Sequence, residues 1–462
     1  MVVIADLMVL WMSELKLPKR YEYIISVLSR VERRRIPLKS GLEDIFSEES
    51  VDWRVRSTIT AHVLGILRNF RLIDQAINLT LKKGSIHMFK PELKNILRVA
   101  VYDTHIRRAV PAKTATMVAV NLAKKMLGNS IARLVNALLR QIENFEIEKV
   151  LKREDKAEVL ALKYSHPTWF VRYIIELLGE EEAIKLLRTN NSPAPVWLRV
   201  NTLKTDRDRL IKALEREGTK VTMDSDLPDV LKVIESRKPP IRLSSFSKGL
   251  FYIQDKASVL AGHVLNPKPG ELIVDVCAAP GGKTSHIAQL MENEGKIIAI
   301  DISKLRIRAL KNNMKRLGVK IVEAKVMDAR KIPEKLKAEA DRVIVDPSCS
   351  STGNFRSRPE VRLWIKKKDV KRFAKLQWEI LNAAAEIVKD GGTLMYSTCS
   401  LTLEENEHLI KRFLDEKKTF KITKAEPFIG NPGFSGLTDA QRLFPHIHDT
   451  EGFFIAKLIK MG

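Results

Sequence analysis

Cysteine is scarce in this sequence, with three residues among 462. They are Cys277, Cys349 and Cys399, and no two of them have the CxxC spacing that is typical of metal ligands. So few cysteines exclude a disulfide framework and fit the reducing environment of the cytoplasm. We therefore expect a cytoplasmic protein without a metal site.

Long apolar runs are missing as well. The N-terminal apolar stretch Met1–Met12 contains Asp6, lacks a basic flank and is far shorter than the roughly 20 residues that span a bilayer. We predict that it forms a helix that packs on its own domain, and that the protein does not bind a membrane. Glutamine is also rare, with six residues, while Lys, Glu, Arg and Ile are abundant, which suggests a thermophile.

Acidic residues are too few to balance the basic ones. The chain has 80 Lys and Arg against 56 Asp and Glu, which gives a net charge of +24. Such an excess attracts nucleic acid or an anionic membrane surface. The basic residues, including the run Lys366–Lys368, are spread through sequence with the pattern of folded domains, and no amphipathic lipid anchor is present. The charge therefore favours nucleic acid, with a solvated, heat-tolerant surface as the alternative.

The first of three predicted domains covers residues 1–150 and is all-helical, because its apolar residues recur with a period of 3.6. Pro91 stands at a plausible first turn, and the residues after it on one helical face are Leu93, Ile96, Leu97, Ala100 and Val101. The segments 61–74, 91–103, 110–126 and 132–143 resemble the helical RNA-binding fold of the antitermination factor NusB. The resemblance implies contact with RNA, whereas the pattern alone also allows a scaffold bundle.

The second predicted domain, residues 151–245, is a small α+β module. A helix is predicted to start at His166–Trp169, and a linker at residues 190–195 ends the helical region. A strand at Val196–Asn201, a helix at Asp206–Glu217 and short strands near Val221 and Ile241 are predicted to follow it. The pattern alone does not distinguish an RNA-holding module from a packing spacer.

The third predicted domain, residues 246–462, repeats the order strand, turn, helix, which predicts an α/β, Rossmann-like domain with a parallel sheet wrapped by helices. In such sheets ligands bind beyond the carboxyl ends of the strands. The loops after the predicted strands carry the candidate site residues. The predicted strands are 271–275, 296–301, 320–324, 342–346, 393–396 and 452–458.

A glycine-rich loop, Cys277–Lys283, follows the first of these strands. A phosphate-binding P-loop requires a glycine where Cys277 stands, and the dinucleotide fingerprint GxGxxG is absent. Gly281 and Gly282 allow the backbone to bend sharply close to a ligand. Asp301 ends the next strand, where it can accept hydrogen bonds from ribose hydroxyls, and Asp328 can bind an adenine amino group. Together these residues point to S-adenosylmethionine, while a solvated or capping role is the alternative for each acid.

Two cysteines follow later strands, Cys349 in DPSCS and Cys399 in STCS. A thiol becomes a strong nucleophile as thiolate, and a loop near helix N-termini and cations is where its pKa can be lowered. We predict a two-thiol active site, although a free cysteine is often only a small buried apolar residue.

Residues 155–462 resemble the RNA 5-methylcytosine methyltransferases of the NOL1/NOP2/Sun group, also called the RsmB/NOP family, and the helical first domain extends the resemblance to its RsmB-like branch. The resemblance implies a nucleophile at Cys399 and a role for Cys349 in product release. It also implies that the small module helps to hold RNA. The residues that it assigns to S-adenosylmethionine are Cys277, Ala278, Ala279, Pro280, Gly281, Gly282, Lys283, Asp301, Asp328 and Asp346. The chain departs from the family in having Ser348, rather than proline, directly before Cys349, and the DPSCS order resembles a branch that acts on large-subunit ribosomal RNA.

The expected chemistry assigns a task to each group. The Cys399 thiolate would add to carbon 6 of cytosine, and Cys349 would assist the final elimination. Asp346, either protonated and neutral or shared with the exocyclic amino group, would help to neutralise charge near nitrogen 3. Lys283 would lower a thiol pKa or bind backbone groups, with a structural salt bridge as the alternative. The base must be single-stranded or flipped out. The candidates for aromatic walls on which the base would stack are Phe355, Trp364 and Phe434. The alternative is that they are simply core residues.

Three functions are compatible with the sequence. We expect cytosine-5 methylation of ribosomal RNA by a monomer, with transfer RNA as the next substrate. Methylation of an exocyclic amine would require an aromatic residue after DPP or NPP, which DPSC lacks. A non-catalytic ribosome assembly factor is the third possibility, although the presence of both thiols opposes it.

Overall fold

The computed structural model describes residues 16–47, 51–143, 145–152, 154–336 and 339–462. The helix predicted at Met1–Met12 lies outside these residues. The chain forms two compact units, one up to Ser192 together with Ser357–Lys366, and one made of Pro193–Arg356 and Lys367–Gly462. None of the helices in the described residues is both long and apolar enough to cross a membrane. The predicted domain boundaries at 150 and 245 stay predictions.

The regular elements described in the first unit are all helices, as the apolar period predicts. They are α1 (Leu17–Arg34), α2 (Leu38–Phe46), α3 (Trp53–Asn78), α4 (Pro91–Val101), α5 (Ala112–Leu127), α6 (Asn129–Ile142), α7 (Lys156–Lys163), α8 (Thr168–Leu178) and α9 (Glu180–Asn190). Pro91 occupies the first turn of α4, where its missing N–H is not needed. Leu93, Ile96 and Leu97 on this helix are buried in the core of the unit.

The segment Ser357–Lys366 belongs to the first unit although it is distant in sequence. Arg362, buried in this segment, donates to Asn191 Oδ1 at 2.7 Å and to the Asn190 carbonyl at 2.8 Å, at the end of α9. These charge-assisted hydrogen bonds hold the segment on the helical unit.

A four-stranded antiparallel sheet opens the second unit. Its strands, in the spatial order β2, β3, β1 and β4, are β1 (Trp197–Val200), β2 (Thr219–Met223), β3 (Val230–Ser236) and β4 (Phe251–Ile253), and helix α10 (Arg207–Arg216) connects β1 to β2. The strand predicted near Ile241 is wrong. Residues Pro240–Arg242 form a 3-10 turn, because adjacent prolines lack the N–H that a strand ladder needs. Sequence analysis missed β3, whose charged residues interrupt its apolar pattern.

A nine-stranded mixed sheet forms the core of the second unit. Its strands are β5 (Leu272–Asp275), β6 (Lys296–Asp301), β7 (Val322–Val326), β8 (Ala340–Val345), β9 (Val388–Thr398), β10 (Phe420–Thr423), β11 (Asn431–Pro432), β12 (Gln441–Leu443) and β13 (Phe453–Lys460). The series β7-β6-β5-β8-β9 is parallel, as predicted. The prediction is wrong for β13, which is antiparallel to β9, because an apolar pattern does not encode strand direction. Sequence analysis missed β10 to β12, which are also antiparallel to their neighbours.

Apolar clusters bury both faces of this sheet, which explains the nearly continuous apolar sequence of strands such as β5. The helices of the second unit after β3 are α11 (Ser244–Ser247), α12 (Lys256–Leu265), α13 (Gly282–Leu290), α14 (Lys304–Leu317), α15 (Ile332–Lys335), α16 (Lys367–Ala385), α17 (Glu407–Glu416) and α18 (Pro445–His448). Asp255 caps α12 by accepting from the Ala257 N–H at 2.9 Å.

Candidate active site

The strand order places a switch point at β5. The chain runs outward from β5 through β6 to β7 and then returns to β8 on the other side of β5. The carboxyl ends of β5, β8 and β9 therefore meet at one edge, where open α/β sheets bind ligands. The register pairs Val345 with Tyr396, so that Asp346 and Ser397 follow side by side. Ser397 Oγ donates to Asp346 Oδ1 at 3.0 Å.

The two predicted cysteines meet at this edge, since the Sγ atoms of Cys349 and Cys399 lie 3.0 Å apart, and neither thiol forms a disulfide in the described residues. Gly353, in the turn after Cys349, donates its N–H to the Cys399 carbonyl at 2.9 Å. A Cβ atom at Gly353 would lie 2.1 Å from the Gly452 carbonyl oxygen and 2.8 Å from that of Cys399. The close approach of these backbones thus requires glycine.

The Cys349 thiol differs from the sequence expectation in its acidity. The hydrogen bond with Cys399 and burial raise the pKa of the Cys349 thiol, and the charges of Cys399 and Glu405 act in the same direction. The prediction of a lowered pKa is therefore wrong for Cys349. Since Cys349 keeps its proton, it can donate a hydrogen bond to Cys399 and stabilise negative charge on that sulfur.

Lys283 forms a salt bridge with Asp346, with Nζ and Oδ2 at 2.7 Å. The lysine side chain is largely buried, and its Nζ also lies 5.1 Å from the centre of the Phe453 ring. In the described residues it makes no hydrogen bond to either thiol. The structure thus shows the salt bridge that sequence analysis gave as the alternative, and the neutral Asp346 considered there would require this ion pair to break.

The glycine-rich loop bends between β5 and α13. Gly281 has a φ of 100°, a conformation that favours glycine, and Ala278 ties the loop to β6 through a hydrogen bond to Ile300 at 2.8 Å. Ala278 and Ala279 are buried, and Pro280 is exposed. Cys277 carries a thiol whose pKa is raised by burial and by the charges of the acids around the loop, which are Asp275, Asp346 and Asp301. The predicted acids Asp301 and Asp346 are therefore close enough to the loop to act on the Cys277 thiol.

Asp301 ends β6, as predicted, and its side chain is almost fully buried. Oδ1 accepts from the Ser303 N–H at 2.9 Å, and Oδ2 lies 3.0 Å from the Arg306 guanidinium. A ribose hydroxyl that binds Asp301 would share the carboxylate with this guanidinium or displace it. The next residue, Ile302, is 70% exposed and offers an apolar surface beside the acid. An acid for ribose and an apolar surface for a base fit S-adenosylmethionine.

Asp328 is not brought into contact with the other predicted site residues. Its carboxylate accepts from the Arg330 guanidinium, with the shortest distance 2.7 Å, and these hydrogen bonds lower its pKa. An adenine amino group would therefore compete with Arg330 for Asp328. Its predicted contact with adenine stays a prediction.

The three aromatic residues predicted to stack on the base have different surroundings. Phe355 is fully buried, so the prediction is wrong for this residue. Trp364 packs against the core of the helical unit. Phe434 is half-buried and lies edge-on to Phe444, with ring centres 6.4 Å apart. All three pack as core aromatics do.

One group in the described residues has the composition of a metal site. Asp229 binds His263 Nε2 at 2.8 Å and lies 3.0 Å from His286 Nε2. Burial lowers the pKa of His286 to about 4, and the two imidazoles lower that of Asp229 despite its burial. The direct contacts of one carboxylate with two imidazoles account for the group without an ion. The prediction of no metal site stays a prediction.

Sequence analysis missed three polar residues at the site. Ser397 and Arg306 contact predicted acids, and the buried Glu405 accepts hydrogen bonds from both cysteine loops. Ser397 lies near the end of β9, two residues before Cys399, so that the alternation of side chains offered a signal. Arg306 stands in the first turn of the helix after Asp301, which offered a weaker one. Glu405 had no spacing signal.

The glycine turn after β5, the acid that ends β6 and the parallel sheet define a methyltransferase that uses S-adenosylmethionine. Residues 262–459 match the 16S rRNA methyltransferases RsmB/F, residues 19–144 match the NusB family, and residues 166–238 match the ferredoxin-like domain of RsmF/B-like methyltransferases. The chain belongs to the RsmB/F family of RNA methyltransferases. The predictions of a NusB-like domain, a small module and the cofactor are thereby confirmed.

Relatives align over most of the chain. The probable ribosomal RNA small subunit methyltransferase B of Bacillus subtilis (strain 168) is 32% identical over 95% of this chain and 98% of its own length. A tRNA (cytosine(72)-C(5))-methyltransferase of Pyrococcus horikoshii is 34% identical over 65% of this chain and 99% of its own. The crystal structure of PH0851 superposes with a TM-score of 0.84 at 34% identity over 96% of this chain and 100% of that chain. The structure of NSun6 from Pyrococcus horikoshii with SFG gives 0.60 at 33% identity, over 64% and 98%.

Proposed function

We propose that this protein methylates carbon 5 of a cytosine in RNA through a covalent bond between Cys399 and carbon 6. The observation that carries this proposal is the 3.0 Å separation of two thiols, of which Cys349 holds its proton. A nucleophile beside a proton donor is the arrangement that covalent catalysis needs. Both thiols lie at the sheet edge that also bears the cofactor loop.

Carbon 5 of cytosine is a poor nucleophile and needs activation. The Cys399 thiolate forms a bond to carbon 6, and the electron pair of the double bond moves toward carbon 5 and nitrogen 3. S-adenosylmethionine, when bound, supplies an electrophilic methyl group. Asp346, which is held by Lys283 and Ser397, supplies a fixed acceptor for the exocyclic amino group and so orients the ring.

Release of the product needs two proton movements. The proton on carbon 5 must leave, so that its electron pair reforms the double bond and expels the Cys399 sulfur. Cys349 lies 3.0 Å from that sulfur and can give its proton to the departing thiolate. In the same step the Cys349 sulfur takes the proton from carbon 5, directly or through water. Both cysteines end as thiols, because Cys399 has received the proton of Cys349 and Cys349 has received the proton of carbon 5.

Ribosomal RNA is the substrate that we propose. The relatives that align over almost the whole chain are small subunit ribosomal RNA methyltransferases, and their alignments include the NusB-like domain. The tRNA methyltransferase aligns with 65% of this chain, so that its alignment leaves about a third of the residues uncovered. This difference favours the small subunit over both transfer RNA and the large subunit that the DPSCS order suggested.

Transfer RNA remains the second candidate, because the P. horikoshii tRNA enzyme is 34% identical to this chain. Bisulfite sequencing of total RNA from a deletion strain separates the two. Loss of one protected cytosine in small subunit ribosomal RNA is the expected result. Loss in transfer RNA would support the second candidate, and an unchanged pattern in all RNA would contradict cytosine-5 methylation.

A further inference from the structure

Glu405 is a fully buried acid six residues after Cys399, just before α17. Its carboxylate accepts four hydrogen bonds. Oε1 accepts from the Ser350 N–H at 2.8 Å and from Gln377 Nε2 at 2.8 Å. Oε2 accepts from Ser400 Oγ at 2.6 Å and from Thr402 Oγ1 at 2.9 Å. A buried carboxylate is stable only when it is solvated by donors in this way.

Each oxygen of this carboxylate holds one cysteine loop. Ser350 directly follows Cys349, whereas Ser400 directly follows Cys399. The two loops are distant in sequence, and the planar carboxylate of Glu405 joins them through its two oxygens. A hydrogen bond between Ser350 Oγ and Ser400 Oγ at 3.0 Å adds a second link between the loops.

Gln377 extends this bridge to the other side of Cys349. Its amide group, on α16, donates one proton to Glu405 and the other to the Ser348 carbonyl at 3.1 Å. The backbone is therefore fixed at the residue before Cys349 and at the residue after it. Ser348 is the position where the chain departs from its family, and its carbonyl is the group that Gln377 holds.

The carboxylate also brings a charge to the site. Every hydrogen-bond partner of Glu405 among the described residues is a neutral donor, unlike Glu407, which pairs with Arg442. An unneutralised charge in a buried environment acts strongly on its neighbours. The titratable groups whose charges raise the pKa of Cys349 are Cys399 and Glu405. Tyr396 also lies near Cys349, and its hydroxyl donates a hydrogen bond to the Glu405 carbonyl.

We infer that Glu405 is a positioning residue for methyl transfer: its two oxygens fix the separation of the Cys349 and Cys399 loops, and it places a buried carboxylate against the backbone that follows Cys349. The inference rests on the proposed function of this site. It assigns no direct contact with substrate to Glu405. It predicts that geometry and charge can be separated by two substitutions at one position.

Glu405→Gln removes the charge and keeps the shape. The amide oxygen can accept from Ser350 and Gln377, and the amide nitrogen can donate to the hydroxyls of Ser400 and Thr402, which can rotate. We expect the variant to fold and the Cys349 thiol to ionise at lower pH than in the wild type. Alkylation of the resting protein with iodoacetamide at a series of pH values, followed by peptide mass spectrometry, gives the midpoint for each cysteine.

Glu405→Ala removes both the bridge and the charge. Because displacement of reacting groups by about 1 Å can cost about 10²-fold in rate, we expect a loss of that size in single-turnover methyl transfer. Cofactor affinity should stay unchanged, since Glu405 makes no contact with the glycine-rich loop. Glu416→Gln, a charge removal at an exposed site on α17, is the matched control and should behave as the wild type.

The alkylation experiment needs no RNA, so it separates this inference from the proposed function. A lower Cys349 midpoint in Glu405→Gln, but not in Glu416→Gln, supports the inference even if the natural substrate is not found. Equal midpoints in Glu405→Gln and the wild type, or wild-type methyl transfer by folded Glu405→Ala, would overturn it. If Glu405→Ala does not fold, the Cys349 midpoint in Glu405→Gln decides.

Discussion

The sulfur atoms of Cys349 and Cys399 lie 3.0 Å apart although 50 positions separate them in the sequence. Parallel strands β8 and β9 bring their carboxyl ends together, and the loops that follow them carry the two thiols. Because Cys349 holds its proton, the pair consists of a donor and a nucleophile. This division of tasks leads to separate predictions for the two cysteines.

Cys399→Ala should bind RNA and cofactor as the wild type does and transfer no methyl group. The proposed mechanism has no route to activated carbon 5 without this sulfur, so we expect a loss of at least about 10⁴-fold. Transfer of label from radioactive cofactor to RNA measures the loss, and a filter-binding assay checks RNA affinity. Full activity in this variant would remove Cys399 as the nucleophile.

Cys349→Ala should form the covalent intermediate and fail to resolve it. The variant lacks the proton relay that expels the Cys399 sulfur, so a protein–RNA adduct should accumulate. Denaturing gel electrophoresis after incubation with cofactor and RNA detects this adduct. If the variant turns over at the wild-type rate with no adduct, Cys349 has no part in release.

The Lys283–Asp346 ion pair should stabilise the folded protein as well as orient Asp346. Both side chains are mostly buried, so loss of one partner leaves a poorly solvated charge. A double-mutant cycle with Lys283→Met and Asp346→Asn should give a coupling free energy of about 1–2 kcal/mol in urea unfolding. Additive effects of the two substitutions would show that the contact contributes no stability.

The buried carboxyl of Asp275 should make the stability of the protein depend on pH. Burial, with the nearby charge of Asp346, raises the pKa of this carboxyl from 3.8 to about 7. The folded protein therefore binds the proton more tightly than the unfolded chain, and this group lowers stability as pH rises from about 4 to about 7. Over that range the free energy of unfolding of Asp275→Asn, relative to that of the wild type, should rise by about 4 kcal/mol.

The pH slope is the informative quantity in that experiment, because Asn can change the baseline by altering the hydrogen bond from Thr284, which is 2.7 Å long in the wild type. Urea unfolding at several pH values between 4 and 8 gives the slopes. The same slope in both proteins would contradict the raised pKa of Asp275.

Much of the site could be predicted because its residues follow strands. Asp301, Asp346, Cys349 and Cys399 stand at or just after the carboxyl ends of apolar runs, and the geometry of a parallel sheet brings such ends together. The helical first domain was equally accessible, since a period of 3.6 directly reports a helix. These features depend on local patterns alone.

Other features depend on contacts that no local pattern encodes. The antiparallel direction of β13 is set by the path of the chain back to β9. The raised pKa of Cys349 arises from burial against Cys399 and Glu405, so that its direction could not be predicted from position in a loop. The pairing of Asp328 with Arg330 likewise became visible only in three dimensions.

The most direct test of the mechanism is to trap the bond between sulfur and base. An RNA in which the target cytosine carries fluorine at carbon 5 cannot lose a proton there, so the covalent intermediate should persist. We expect mass spectrometry of the digested adduct to find the modified nucleotide on the peptide that contains Cys399. No adduct with the wild-type protein, or an adduct on Cys349, would contradict the account.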